Sequence, residues 1–280
     1  MTAKLLDGKT LAKQIRMELK EKIAKLPSSP ALAVIIVGNN PASEIYVKSK
    51  EKSCLDVGIT PKTYALDETT SQQELLNLIE KLNNSPEING ILVQLPLPKH
   101  LDTTAILQSV TPIKDVDGFH PLNSGYLIQN TKQGYVPCTP KGIIRLIKET
   151  EQDLTGLNAV VIGRSQIVGL PIAQLLIQQN CTVTTAHSKT KNLQELCKNA
   201  DILVSAIGKP EFITEEFIKP NAIIIDVGIN RTTSGLKGDV CFNDAQALAE
   251  YITPVPGGVG PMTIAMLLEN TYEAFLKQHS

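Results

Sequence analysis

Tyr46 and Lys50 lie four residues apart in Ser43-x-x-Tyr46-Val-x-x-Lys50, a spacing that puts a phenol and an amine on one face of a helix. Such an amine can carry protons if its surroundings disfavour its charged form, although by itself the pair also describes an ordinary amphipathic surface. Gln94, followed by Pro96 and Pro98, ends an apolar run. The segment Lys114-Asp115-Val-Asp117-Gly-Phe-His120-Pro then brings two carboxylates into a stretch without regular period, where they suit either loop capping or a ligand.

A second constellation is Gly163-Arg164-Ser165-x-x-Val168-Gly169, a glycine turn between an apolar strand and a helical run. A phosphate fits there, because backbone N–H groups and the helix dipole favour an anion. The spelling departs from G-x-G-x-x-G, with Ser165 at the second glycine and Gly169 one place late, so a plain βα turn is the competing reading. An NAD site usually has an acidic residue about 20 residues further on to meet the ribose hydroxyls. Here the next strand ends in Ala186-His187-Ser188-Lys189. A hydroxyl and a cation, with Arg164 nearby, suit a 2′-phosphate instead, and the cofactor predicted is NADP. Pro256-Gly257-Gly258-Val-Gly260-Pro261 reads either as a flexible lead into the last helix or as a second phosphate-type turn.

The elements that must position these groups follow from periodicity. Leu11, Ile15, Leu19, Ile23 and Leu26 form a helical stripe after Asp7, and Ala31–Val37 reads as a strand buried on both faces. A helix over 42–57, a strand over 59–66, a helix opened by the capping box Ser71-x-x-Glu74 and a strand over 90–95 come next. Residues 111–138 read as irregular. Thr139 and Pro140 predict an N-cap and first helical position, with the helix running to about 148. Strands over 158–162, 181–186, 201–206 and 222–227 alternate with helical patterns, and a helix over 262–277 closes the chain.

The composition narrows the function. Against a usual domain of about 100–200 residues, 280 residues suggest two domains. With 27 basic and 28 acidic residues the net charge is -1, which supplies no general field for a nucleic acid or an anionic membrane. No run approaches the roughly 18 apolar residues of a membrane span, and the charged start is unlike a signal peptide, so a cytoplasmic protein is expected. Five dispersed cysteines and four unpaired histidines argue against disulfides and against a metal site. The fold expected is α/β, in two α/β lobes with a cleft between them. Residues 1–138 plus 260–280 form one lobe, and 139–259 form the other as a Rossmann-type parallel sheet.

Five blocks in order, Pro41-Ala-Ser-x-x-Tyr46-Val-x-x-Lys50, Val93-Gln94-Leu95-Pro-Leu-Pro98, Lys114-Asp-Val-Asp117-Gly-Phe-His-Pro121, Gly163-Arg-Ser-x-x-Val-Gly169 and Pro256-Gly-Gly-Val-Gly-Pro-Met-Thr263, resemble the motif set of the bifunctional methylenetetrahydrofolate dehydrogenase/methenyltetrahydrofolate cyclohydrolase family. The resemblance spans essentially the whole chain. It implies oxidation of 5,10-methylenetetrahydrofolate with NADP, then hydrolysis to 10-formyltetrahydrofolate, in the one-carbon metabolism that serves purine biosynthesis. It implies Lys50 as the general acid/base, Gln94 as its orienting partner, Tyr46 as the ring that stacks on the folate, and Asp117 as the pterin-binding carboxylate. Leu95, Pro256, Gly257 and Gly258 would touch substrate, and Gly163, Arg164, Ser165, Val168, Gly169, His187, Ser188 and Ile229 the cofactor. It further implies a homodimer joined through the nucleotide lobe. An unrelated reductase laid out like the shikimate dehydrogenases would leave the blocks of the first half unexplained.

Overall fold

A computed structural model describes residues 2–39 and 41–279, with only the backbone for 41–45. In chain order the first elements are β1 (Lys4–Leu5), α1 (Gly8–Ile23), β2 (Ala31–Val37), α2 (Pro41–Val57), β3 (Thr60–Leu66), α3 (Gln72–Asn83), β4 (Gly90–Val93), α4 (Thr103–Ser109) and α5 (Pro121–Ile128). There follow α6 (Cys138–Lys148), β5 (Asn158–Ile162), α7 (Gly169–Gln178), β6 (Thr182–Ala186), α8 (Leu193–Lys198), β7 (Ile202–Ser205), β8 (Ile223–Asp226), β9 (Asn230–Thr232), β10 (Gly235–Lys237), α9 (Phe242–Leu248), β11 (Tyr251–Ile252) and α10 (Val259–Gln278). The chain divides into two compact units, one of residues 14–138 and 264–280, the other of residues 1–13 and 139–263.

The first unit is built on a three-stranded parallel sheet in the order β3-β2-β4. All seven residues of the central strand are buried, as its uninterrupted apolar run requires. Leu75, Ile79 and Leu82 of α3 pack on one face of this sheet with Ile35 and Ile91. The capping box forms as predicted: Ser71 Oγ accepts from Glu74 N at 3.3 Å and Glu74 Oε2 accepts from Ser71 N at 2.8 Å. The stretch 111–138, expected to be irregular, contains α5. This helix is only eight residues long, and its cap is the Nδ1 of His120, which accepts from Leu122 N. Neither feature leaves a period or a standard cap residue to read.

The second unit holds a six-stranded, all-parallel sheet in the order β1-β11-β8-β7-β5-β6, plus the antiparallel hairpin β9–β10. The four predicted strands, β8, β7, β5 and β6, are consecutive neighbours in it, with β6 at the edge. β1 and β11 were not foreseen, since two residues carry no period, and they bring the start of the chain into this unit rather than the lobe of residues 1–138. Lys4 N and Leu6 N donate to Glu250 O and Ile252 O. Thr139 is not an N-cap: α6 begins one residue earlier, and the threonine's hydroxyl pairs with that of Thr263 at 2.9 Å.

Two buried carboxylates organise the loops at one end of this sheet. Asp239 accepts from the N–H groups of Ile207, Gly208 and Lys209 at 2.8, 3.1 and 3.0 Å, and from Asn230 Nδ2 and Ser205 Oγ. Asp226 accepts from the N–H groups of Gly228, Asp239 and Val240, each at 2.9 Å. Burial pushes the Asp226 carboxyl up to about 6, the three N–H bonds hold it down, and the neighbouring Asp239 adds to the rise. Glycine is required beside them, because a Cβ on Gly238 would stand 1.8 Å from Asp226 Oδ2. Asp239→Ala strands several buried donors at once and is expected to cost roughly 3 kcal/mol or more, read from the urea midpoint of unfolding.

Candidate active site

Within the first unit, α2 and the end of β4 bring the predicted catalytic pair together. Lys50 Nζ donates to Gln94 Oε1 at 2.9 Å. The glutamine is itself fixed at both ends. Its backbone N–H donates to Ile35 O, prolonging the β2–β4 ladder, and its Nε2 donates to Leu95 O at 2.6 Å. That second bond decides which way the amide faces, so the carbonyl oxygen is left for the lysine. Tyr46, one turn before Lys50, is 38% exposed, so its ring is open to a ligand. The side chains of Pro41, Ala42 and Ser43 in this motif lie outside the described residues.

The motif from Lys114 to Pro121 separates into three roles. Lys114 is buried and donates from Nζ to Leu82 O and Ser85 O at the end of α3, while burial lowers its pKa. Asp115, also buried, accepts from Gly118 N, His120 N and Asn123 Nδ2, and so ties its own loop. Asp117 is the carboxylate left for other work. Burial pushes it up to about 6. The Lys50 charge pulls it down, the Asp115 charge raises it and a hydrogen bond from the Cys138 thiol lowers it again. A half-buried carboxylate coupled to Lys50, an amine steered by an amide and an exposed aromatic ring can hold a planar ligand with N–H donors and move a proton on it.

In the second unit, β6 lies on one side of β5 and β7 on the other, so the chain reverses its direction of winding between them. At such a switch point a crevice opens beyond the carboxyl ends of the strands. Gly163 follows β5 there at φ +129°, with its N–H donated to Ala186 O and with Ala206 O only 2.5 Å from where a Cβ would stand. Gly169, at the start of α7, is pressed on Gly163, whose carbonyl oxygen would meet its Cβ at 2.2 Å. Ser165 Oγ accepts from Val168 N and Gly169 N at 3.2 and 3.3 Å, capping the helix by its side chain. The exposed Arg164 and Ser165 flank this turn. Beyond β6, His187 N donates to Thr190 Oγ1 and His187 Nδ1 accepts from Lys189 N, a tight turn that exposes Ser188 and Lys189. These cradles have no room for side chains and present cations and hydroxyls, which fits a phosphorylated dinucleotide.

Two family models divide the chain between them: the tetrahydrofolate dehydrogenase/cyclohydrolase catalytic domain over residues 6–117 and the NAD(P)-binding domain of the same family over 137–279. The chain belongs to the tetrahydrofolate dehydrogenase/cyclohydrolase family. It is 55% identical over 278 residues to the bifunctional protein FolD of Acetivibrio thermocellus, covering 98% of this chain and 97% of that one. It is also similar to the crystal structure of the bifunctional FolD enzyme of Campylobacter jejuni, at 49% identity and a TM-score of 0.97 over 98% of this chain and 99% of that one. The Trypanosoma brucei dehydrogenase-cyclohydrolase, solved with NADP cofactor and an inhibitor, matches at 38% identity and a TM-score of 0.94 over 99% and 98%.

The remaining predicted residues fall in the second unit. Pro256, Gly257 and Gly258 follow β11, where Gly257 O accepts from Lys9 N and a Cβ on Gly8 would stand 1.8 Å from Gly258 O. Ile229 is exposed, and its Cδ1 is 3.7 Å from where a Cβ on Gly260 would stand. Among the described residues no group of three His, Cys, Asp or Glu side chains is placed to hold a metal ion, and no helix is long and apolar enough to cross a membrane. Sequence reasoning missed the 206–209 turn and Asp239, which shapes it. The one signal available was Gly208 just past a strand end. Gly169→Ala drives a methyl into Gly163 O and is expected to weaken dinucleotide binding at least about tenfold through the displaced turn. A fluorescence titration with the cofactor checks this.

Proposed function

We propose that this protein oxidises 5,10-methylenetetrahydrofolate to the 5,10-methenyl cation with NADP and then hydrolyses that cation to 10-formyltetrahydrofolate. The carrying observation is the 2.9 Å bond between Lys50 Nζ and Gln94 Oε1 in the same unit as Asp117. It is supported by membership of the family and by the blocks shared along the whole chain. NADP, when bound along Gly163–Gly169 with its 2′-phosphate near Arg164, Ser188 and Lys189, supplies the hydride acceptor.

In the first step the bridging carbon loses hydride and the positive charge spreads over two nitrogens, so the protein's task is alignment. Tyr46 stacks on the ring system, and Asp117 meets the paired N–H groups of the pterin with both oxygens. In the second step water adds to the cationic carbon and gives up a proton to the Lys50 amine acting as the base. The carbon–N5 bond then breaks, with N5 protonated from Lys50 while the new hydroxyl releases its remaining proton to solvent and becomes the formyl carbonyl. Gln94 Oε1 holds Nζ over that carbon throughout. Leu95, Pro256, Gly257 and Gly258 contact the folate, while Val168, His187 and Ile229 complete the cofactor contacts. We place the protein in the cytoplasm, as a homodimer joined through its nucleotide-binding unit, on the strength of the family resemblance.

Lys50→Met is expected to abolish ring opening, read as persistence of methenyl absorbance after subtracting the uncatalysed rate. Full cyclohydrolase activity in that variant refutes the lysine's role. The Michaelis constant for NADP is expected to lie well below that for NAD, and the opposite order removes the 2′-phosphate assignment. Asp117 serves the pterin as a carboxylate. Its ionised form is therefore lost as the pH falls through about 6, and folate affinity should decline there. In Asp117→Asn the inflection should be missing. A folate affinity flat from about pH 5 to about pH 7 in the unsubstituted enzyme, roughly one unit either side of the group's value of about 6, contradicts the assignment.

A further inference from the structure

Asp117 stands on a loop outside any helix or strand, yet the loop is clamped from behind. Asn270 lies within α10 and is fully buried. Its Nδ2 donates to Val116 O at 2.8 Å and to Val136 O at 3.0 Å. The Val116 carbonyl belongs to the peptide group that leads into Asp117, so a bond to it sets the plane from which the aspartate side chain departs. The second carbonyl belongs to the stretch on which this loop rests. Gly118, at φ +76°, lies so close to that stretch that a Cβ would be 2.8 Å from Pro137 N and 2.9 Å from Tyr135 O. One amide thus joins the two backbone segments that cross behind the carboxylate.

The same amide also meets a thiol. Cys138 Sγ donates to Val116 O at 3.4 Å and accepts from Asn270 Nδ2 at 3.7 Å, so the thiol and the amide converge on the one carbonyl that precedes Asp117. Asparagine is a weak helix former, and a buried one inside a helix costs stability unless its amide is used.

We infer that Asn270 is a positioning residue, which acts on the substrate through Asp117 by holding the Val116–Asp117 peptide against the Val136 segment. The inference rests on the pterin role proposed for Asp117. Its test is a double-mutant cycle in the full-length enzyme, using Asn270→Ala with and without Asp117→Ala. Asn270→Asp, of the same volume but with an acceptor in place of the donor, takes its place if the alanine variant proves too unstable to purify. The dissociation constants for tetrahydrofolate and NADP are measured for each protein.

With Asp117 present, loss of the amide is expected to weaken tetrahydrofolate binding roughly tenfold to a hundredfold. NADP binding and kcat for hydride transfer at saturating folate should stay within about threefold. In the Asp117→Ala background the same change should add less than about twofold, because the group it positions is gone. An equal loss in both backgrounds, or no loss in either, overturns the role of Asn270. If Asp117→Ala alone leaves tetrahydrofolate affinity unchanged, the pterin assignment fails and the inference falls with it.

Discussion

The bond from Lys50 to Gln94 is the contact on which the proposed chemistry turns. A lysine side chain has four rotatable carbons, and without a partner its amine samples a volume far larger than a reaction tolerates. Here the partner is a side chain whose own two ends are held, one by the β-ladder through Ile35 O and the other by Leu95 O. The positional accuracy of a buried parallel sheet is thereby passed to a flexible amine through a single amide.

The carboxylates show the same division between holding and acting. Asp115 is saturated by Gly118, His120 and Asn123, and Asp239 by the turn that follows β7. Each takes several N–H groups that would otherwise be unsatisfied, and each thereby makes an irregular loop as definite as a helix. Asp117 stands between these extremes. It is buried enough to be raised toward neutrality and coupled enough to Lys50 to ionise when a cationic or donor-rich ligand arrives.

Much of this was legible in the residues alone. The apolar run of β2, the capping box of α3 and four strands of the larger sheet declare themselves by period and cap, because each depends on neighbours in sequence. So do Tyr46 and Lys50, one turn apart on α2. What escaped depends on distance. Asp239 meets donors 30 to 32 positions earlier, and Asn270 bonds to carbonyls 154 and 134 positions earlier, so neither forms a pattern within any window. Asp115 and Asp117 look alike in the chain, and only the packing of Asn123 and Cys138 around them tells the brace from the ligand group. The helices α4 and α5 were too short, at seven and eight residues, for their periods to register.

The edge strand β1 has a bearing on how the molecule is made. Lys4 and Leu5 pair with Tyr251 and Ile252, and the interval from Lys4 to Tyr251 is 247 positions. During synthesis β1 leaves the ribosome well before the strand it joins, which lies 247 positions later. The smaller sheet has all its strands by Val93 and is able to assemble early, although its unit is finished only by the last helix. The nucleotide-binding sheet therefore closes late, around an edge strand made long before its partner.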